Sequence, residues 1–307
     1  MHIMNLIVRS EKIGDEDAIS ETVFKAFDSA SEAKIVKVMR RDYHAFSRKY
    51  SVVACIGNEI VGHTLFSPCR IRLRGKFVQA LVVAPVAVVP EYQRKGIGQE
   101  MMKFGHALGA VDGFALCYLL GHPEYYPRFG YKPCFGLSQA KVDVEKLPVP
   151  DISLMPSPVK QADIPWLVTL FEKEFSDIDF SLHWGANLAE WHMDGYDAAI
   201  WRTEEGRRVA YSVARTETKQ FKLMLAEDGY YLRQMIYKLK PQVLLQHRAG
   251  WLGKQLKDET WISFKTWFSK AAMAVDLGSG VLDDFLKKVD FEKDEPGFTA
   301  WPLAIIE

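Results

Sequence analysis

The stretch VAVVPEYQRKGIGQEMM, residues 86–102, carries the residue types best suited to hold an anion. An apolar run ends at Pro90, which has no N–H to give to a sheet. The chain then passes through Gln93-Arg94-Lys95-Gly96-Ile97-Gly98 into a helical pattern. Glycines at 96 and 98 let the backbone bend until successive N–H groups converge on one anion. A helix start adds unpaired N–H groups and the positive end of its dipole, and Arg94 and Lys95 add full charge. Such a turn suits a pyrophosphate. The alternative is a strand-to-helix turn whose glycines serve close packing, because short glycine spacings are weak signals alone. Two other phosphate loops do not fit. No GxxxxGK followed by Ser or Thr occurs, and the third glycine of a dinucleotide fingerprint is replaced by Met101.

A second run, LGHPEYYPRFGYKP at 120–133, sets titratable and aromatic groups side by side. His122, like His63, titrates in the range useful for a base, and Glu91 or a water relay is a further candidate. A lone histidine is more often structural, so none is singled out. His122-Pro123-Glu124 and Pro133-Cys134 look like fragments of a zinc-deaminase signature, but no second cysteine follows, so no metal is expected.

The elements that must position these groups read as mixed α/β. Asp15 is placed to cap a helix reaching about Asp28, and Ser31 to cap a second. Strand YSVVACI, a turn at Gly57-Asn58 and strand EIVGHTLFSP form a hairpin signal. CRIRL follows as a strand, turns at Arg74-Gly75-Lys76, and returns through FVQALVVAPVAVV. Beyond the phosphate turn come helix QEMMKFGHALGA and strand FALCYLL. KLPVPDISLMPSPVK, with four prolines, places a boundary within 146–158. Two domains are expected, 1–150 and 151–307. In the second, ADIPWLVTLFEKEF reads as a helix, DAAIWRT and RRVAYSVAR as a hairpin about Glu204-Glu205-Gly206, FKLMLAE as a third strand, and FTAWPLAII as a closing strand.

Composition narrows the class. The 307 residues contain 39 Lys+Arg and 39 Asp+Glu, so no net field favours nucleic acid or an anionic membrane. The most apolar run, LVVAPVAVV, is too short to span a bilayer, and the start of the chain lacks a secretory pattern. Scattered cysteines at 55, 69, 117 and 134 fit a reducing cytoplasm. All eight tryptophans follow residue 165, and their irregular spacing favours core over a substrate pocket.

PVAVVPEYQRKGIGQEMM resembles motif A of the GNAT superfamily of acetyltransferases, whose signature is Q/R-x-x-G-x-G/A between the family's fourth strand and third helix. LGHPEYYPRFGYKP is similar to its motif B, in the YhbS-like branch, and EIVGHTLFSP to the hairpin before them. The resemblance covers about residues 5–140. It implies a twisted, mostly antiparallel sheet splayed between the family's fourth and fifth strands, with acetyl-CoA in the splay and no metal. The pyrophosphate would lie on Gln93, Arg94, Lys95, Gly96, Ile97 and Gly98, and the pantetheine arm along Val86, Ala87 and Val88. Pro85 in that strand would be a simple bulge or a device that opens the strand edge to cofactor. A main-chain N–H near Val88 would polarise the acetyl carbonyl. Tyr126, four residues before the glycine of the Gly130-Tyr131 pair, would protonate the departing thiolate, with aromatic packing as the alternative for it and for Tyr125. Leu119 stands where many members carry an asparagine that touches the cofactor.

The resemblance further implies an N-acetyltransferase acting on a primary amine of a small molecule or peptide, by direct attack in a ternary complex. A protein acetyltransferase with a recruiting C-terminal domain and a non-catalytic acyl-CoA sensor are the alternatives. For 151–307 a divergent second GNAT-like unit is expected, since FKLMLAEDGYYLRQMIYKL offers only Gly229 where the phosphate turn would be. A sterol-carrier-like domain, as in some larger acetyltransferases, is the other possibility.

Overall fold

A computed structural model describes residues 5–193, 195–244 and 247–288; the expected closing strand FTAWPLAII and Trp301 lie outside them. Strand β1 (Leu6–Ser10) leads into α1 (Glu16–Phe27) and α2 (Ala30–Asp42), followed by β2 (Ser51–Ile56), which pairs antiparallel with β1. Both helices stand where the apolar spacing put them, but their starts differ in detail. Asp15 makes no side-chain cap; its carboxylate accepts from Arg9 Nη1 at 2.6 Å and from Lys12 N at 2.7 Å. The second helix begins at Ala30, ahead of the expected cap at Ser31.

EIVGHTLFSP and CRIRL form one strand, β3 (Glu59–Leu73), rather than two. Pro68 is tolerated inside it because β3 has a partner on one side only at that point. β2 pairing stops at Leu65 and the strand that later joins its far end begins at Ile71. Arg74 and Gly75, with φ of 44° and 82°, make the two-residue reversal into β4 (Lys76–Val88). Near the end of β4 the pairing with β3 slips. Thr64 faces Val86 and Phe66 faces Val83, so Ala84 and Pro85 together oppose Leu65.

Helix α3 (Ile97–Val111) covers one face of this sheet, with Met101 and Met102 among Phe66, Leu81, Val83 and Cys117. On the opposite face Ile19, Val23 and Val36 of α1 and α2 pack with Val53 and Ala87. Strand β5 (Leu116–Leu120) runs parallel to β4 but pairs with it only from Ala80–Val82 to Leu116–Tyr118. Beyond Val82 the two strands part. The splay expected between the family's fourth and fifth strands is present.

The sequence then crosses between two sheets. After β6 (Lys132–Pro133) comes β7 (Gly136–Val142), and beyond the proline-rich connection come β8 (Met155–Ser157), α4 (Ile164–Glu174) and β9 (Phe180–Leu182). The latter half continues through β10 (Tyr196–Arg202), β11 (Arg208–Arg215), β12 (Phe221–Ala226), α5 (Gly229–Leu239), β13 (Val243–Leu244), α6 (Trp251–Leu256), β14 (Ile262–Phe268), β15 (Ala272–Asp276) and α7 (Val281–Lys288). The first sheet runs β1-β2-β3-β4-β5-β15-β6, so β15 fills the slot between β5 and β6. Strand β7 lies instead between β13 and β14. Each half lends a strand to the other.

The latter half repeats the order of three antiparallel strands, helix and strand: β10, β11, β12, α5, β13. A continuous core joins the halves, where Tyr43, Ile71, Tyr118 and Phe135 meet Phe171, Phe180, Trp184 and Trp191. Trp184 and Trp191 are wholly buried and Trp201 and Trp261 nearly so, whereas Trp166 and Trp251 are half-buried and Trp267 is exposed. Among the described residues no helix is long and apolar enough to cross a membrane.

Candidate active site

The outer end of β4 has a free edge because β5 has already turned away. Val89 N donates to Val61 O on β3, so strand alternation points the main-chain groups of Val88 and Val86 the other way, into the splay. Gln93 Nε2 donates to Val88 O at 3.0 Å, which agrees with that direction and ties the turn back to the strand.

Pro90 ends the strand and opens a short 3-10 turn, Pro90–Tyr92. Arg94 (φ 59°) and Gly96 (φ 86°) both adopt left-handed backbone, with Lys95 between them, and α3 starts at Ile97. The first intrahelical bond beside this turn is Glu100 N to Gly96 O. The N–H groups of Ile97, Gly98 and Gln99 therefore project from the helix start with its positive dipole end behind them. A Cβ at Gly96 would meet no protein atom within 4 Å, and its positive φ is what favours glycine there. The crowded position is Gly98, where a Cβ would stand 2.5 Å from Tyr125 Oη.

Across the opening, Tyr126–Phe129 form a one-turn 3-10 helix begun by Pro127, which brings Tyr125, Tyr126, Arg128 and Phe129 to the same place. The Tyr126 ring sits edge-on to Tyr125, Phe129 and Tyr131, with centroids 5.1, 6.4 and 5.7 Å away. Burial pushes its hydroxyl up to about 12, with Tyr125 contributing less, so it is a protonated donor through the neutral range. Among the described residues that hydroxyl has no hydrogen-bond partner.

These pieces enclose a cleft of about 580 Å³. Of the residues singled out from sequence, Val86, Val88, Gln93, Arg94, Gly96, Ile97, Gly98, His122 and Tyr126 line it. Ala87 does not: its side chain is 1% exposed and packs under α1 and α2. Lys95 turns aside, its Nζ 5.0 Å from the Tyr92 ring centre. His63 is also elsewhere. It is fully buried on β3, its Nε2 2.9 Å from Ser51 Oγ, and burial pushes it down to about 3. Tyr92, Gln99 and Arg128 line the cleft without having been anticipated.

The matching place in the latter half is closed. Asp228 caps α5, its Oδ1 accepting from Tyr231 N at 3.0 Å, while Gly229 N donates to Gln255 Oε1 at 2.8 Å. A carboxylate and an amide already occupy the helix start. No anion is invited there. Among the described residues no group of three or more His, Cys, Asp or Glu is arranged to hold a metal ion.

Comparison with known proteins identifies the family and the fold. Residues 8–134 match the family model for the acetyltransferase (GNAT) domain. The uncharacterized N-acetyltransferase YjhQ of Escherichia coli K12 is 35% identical over 124 residues, 40% of this chain and 67% of that protein. The uncharacterized N-acetyltransferase YhbS of the same strain is 28% identical over 127 residues, 41% of this chain and 74% of that one. A solved structure from Enterococcus faecalis V583, described as a probable N-acyltransferase, superposes with a TM-score of 0.68 at 14% identity, covering 91% of this chain and 74% of that chain. The last likeness carries the fold across both halves. With motif A, motif B and the splayed sheet in one cleft, this chain belongs to the GNAT family of acetyltransferases.

Proposed function

We propose that the protein transfers the acetyl group of acetyl-CoA to a primary amine of a small molecule or peptide, by direct attack in a ternary complex. One observation carries this reading: the free edge of β4, the left-handed turn at 94–96 and the Tyr126 phenol line a single cleft. The diphosphate lies on the main-chain N–H groups of the turn and helix start, with Arg94 adding charge. The pantetheine arm follows the edge at Val86 and Val88. As the amine nitrogen bonds to the acetyl carbon, a β4 N–H receives the developing oxyanion. The C–S bond then breaks, the thiolate takes the Tyr126 proton, and the surplus amine proton returns through water to the Tyr126 phenolate.

The unit that does this is residues 1–150, completed by β15. The described residues from 151 onward form a GNAT-like unit whose phosphate position is capped by its own Asp228. Isothermal titration with acetyl-CoA, followed by thiol release across a panel of amines, tests the proposal. One acetyl-CoA bound per chain and amine-dependent thiol release are expected. Binding without release for any amine would leave a sensor rather than an enzyme, and no binding would end the proposal.

A further inference from the structure

We infer that Tyr125 and Arg128 form a second jaw of the phosphate site, Tyr125 Oη donating a hydrogen bond to the diphosphate of the bound coenzyme. This rests on the proposed acyl-CoA reading and assigns part of its donor selectivity to two residues outside the turn. Tyr125 and Tyr126 are neighbours with rings nearly perpendicular, 86° apart, and they face different surroundings. Tyr126 is held against Gly121 and Tyr131. Tyr125 reaches across the cleft and sets its hydroxyl over Gly98, in the first turn of α3.

That position joins two sets of donors. The N–H groups of Ile97, Gly98 and Gln99 leave the helix start unpaired, and the Tyr125 hydroxyl beside them has no partner among the described residues. Unpaired donors crowded together call for an acceptor with several lone pairs. A carboxylate side chain supplies one at the equivalent helix start of the latter half, but none does so here. Arg128 is exposed, its guanidinium 5.9 Å from the Tyr125 ring centre, and it lines the cleft together with Arg94. The acceptor is therefore anionic and reached from both sides, as a diphosphate is and an uncharged pantetheine arm is not. Burial raises Tyr125 and the nearby Arg128 charge partly offsets it, which keeps the phenol protonated as a donor.

The test compares two acetyl donors on the full chain: acetyl-CoA, and S-acetylpantetheine, which has no phosphate. Tyr125→Phe and Arg128→Gln are each expected to weaken coenzyme A binding roughly 10-fold by titration calorimetry, the size of one charge-assisted hydrogen bond. Neither should change kcat/KM for S-acetylpantetheine. Tyr126→Phe should do the reverse, keeping coenzyme A affinity while lowering kcat with both donors. Coenzyme A affinity within twofold of wild type in both jaw variants would overturn the inference, as would equal losses with the two donors, which would mean a packing role. A wild-type chain that binds no coenzyme A would remove the functional reading as well, a separable result. Melting curves of both variants at the wild-type temperature would exclude a folding defect as the source of any loss.

Discussion

Two glycines two residues apart meet different demands in the phosphate turn, and this separates their substitutions. Gly96 has φ 86° and open space around its Cα, so alanine there strains the backbone without touching a neighbour. A cost of about 1–2 kcal/mol in stability is expected, with modest loss of coenzyme affinity. Gly98 has ordinary backbone but its Cβ would press on Tyr125 Oη. Gly98→Ala should push the phenol away from the helix start, leave the melting temperature nearly unchanged, and reduce coenzyme A affinity several-fold. Thermal melts and calorimetry on the pair decide it, and identical profiles for the two variants would contradict the division. Tyr126 is argued on the same scale. Its hydroxyl is raised to about 12, so the alkaline limb of a kcat profile that belongs to it lies above pH 11 rather than near 10. Tyr126→Phe is expected to keep coenzyme binding and lose roughly 10²-fold in kcat, the low end for removing a general acid. Unchanged turnover would take the phenol out of the mechanism.

At the scale of elements, β1, β2, β3 and α2 enclose a polar cluster that should set acid stability. Ser51 Oγ donates to Glu11 Oε2 at 2.5 Å, so it must accept from His63, which fixes the neutral imidazole with its proton on Nε2. Arg40 Nη2 also donates to Glu11 Oε2, at 2.8 Å. Burial pushes His63 down to about 3, and His106 on α3 and His247 down to about 4. In each case the folded state releases its proton at lower pH than the unfolded chain, whose histidines titrate near 6.5. Between those values the unfolded chain holds more protons, so stability falls as pH falls, by up to about 1.4 kcal/mol per pH unit for each histidine. Urea midpoints should therefore drop between pH 7 and pH 5, before most carboxylates protonate. A midpoint flat over that interval would contradict the buried, neutral assignment. The same elements show what was legible in the chain. Local signals located α1, α3, β2, β4, β5, α4 and the β10–β11 hairpin, because cap, period and turn residues lie within a few positions of each other. The union of two expected strands into β3 was not legible. Pro68 is a strand breaker unless its free side is known, and that depends on where β2 and β9 stop. Of the site, the turn could be read from Gln93 to Gly98, whereas Tyr92 and Arg128 enter it only once a 3-10 turn and a splay have set their direction.

Over the whole molecule the exchange of β7 and β15 decides what can fold alone. It is invisible to local reading, since AMAVD at 272–276 is an ordinary apolar pentapeptide until β5 and β6 are seen to leave a gap for it. A fragment of residues 1–150 keeps the phosphate turn and both tyrosines but lacks β15. It also lacks side chains that cover part of one face of its sheet, around Ile71, Val82 and Tyr118. Phe171, Phe175, Ile178, Phe180, Leu182 and Trp184 are all nearly or fully buried in the core shared by the halves. At about 2 kcal/mol for each, removing them uncovers an apolar surface worth on the order of 10 kcal/mol, comparable to the whole net stability of a domain. In the whole chain β7, the fragment's own candidate for that gap, lies in the other sheet between β13 and β14. The fragment is thus expected to bind a hydrophobic dye, melt without a cooperative transition and bind no coenzyme A. The full chain should melt in one transition and bind it. A cooperatively melting, coenzyme-binding fragment would show that the first unit stands alone and that the exchanged strand is an ornament on it rather than a part of its fold.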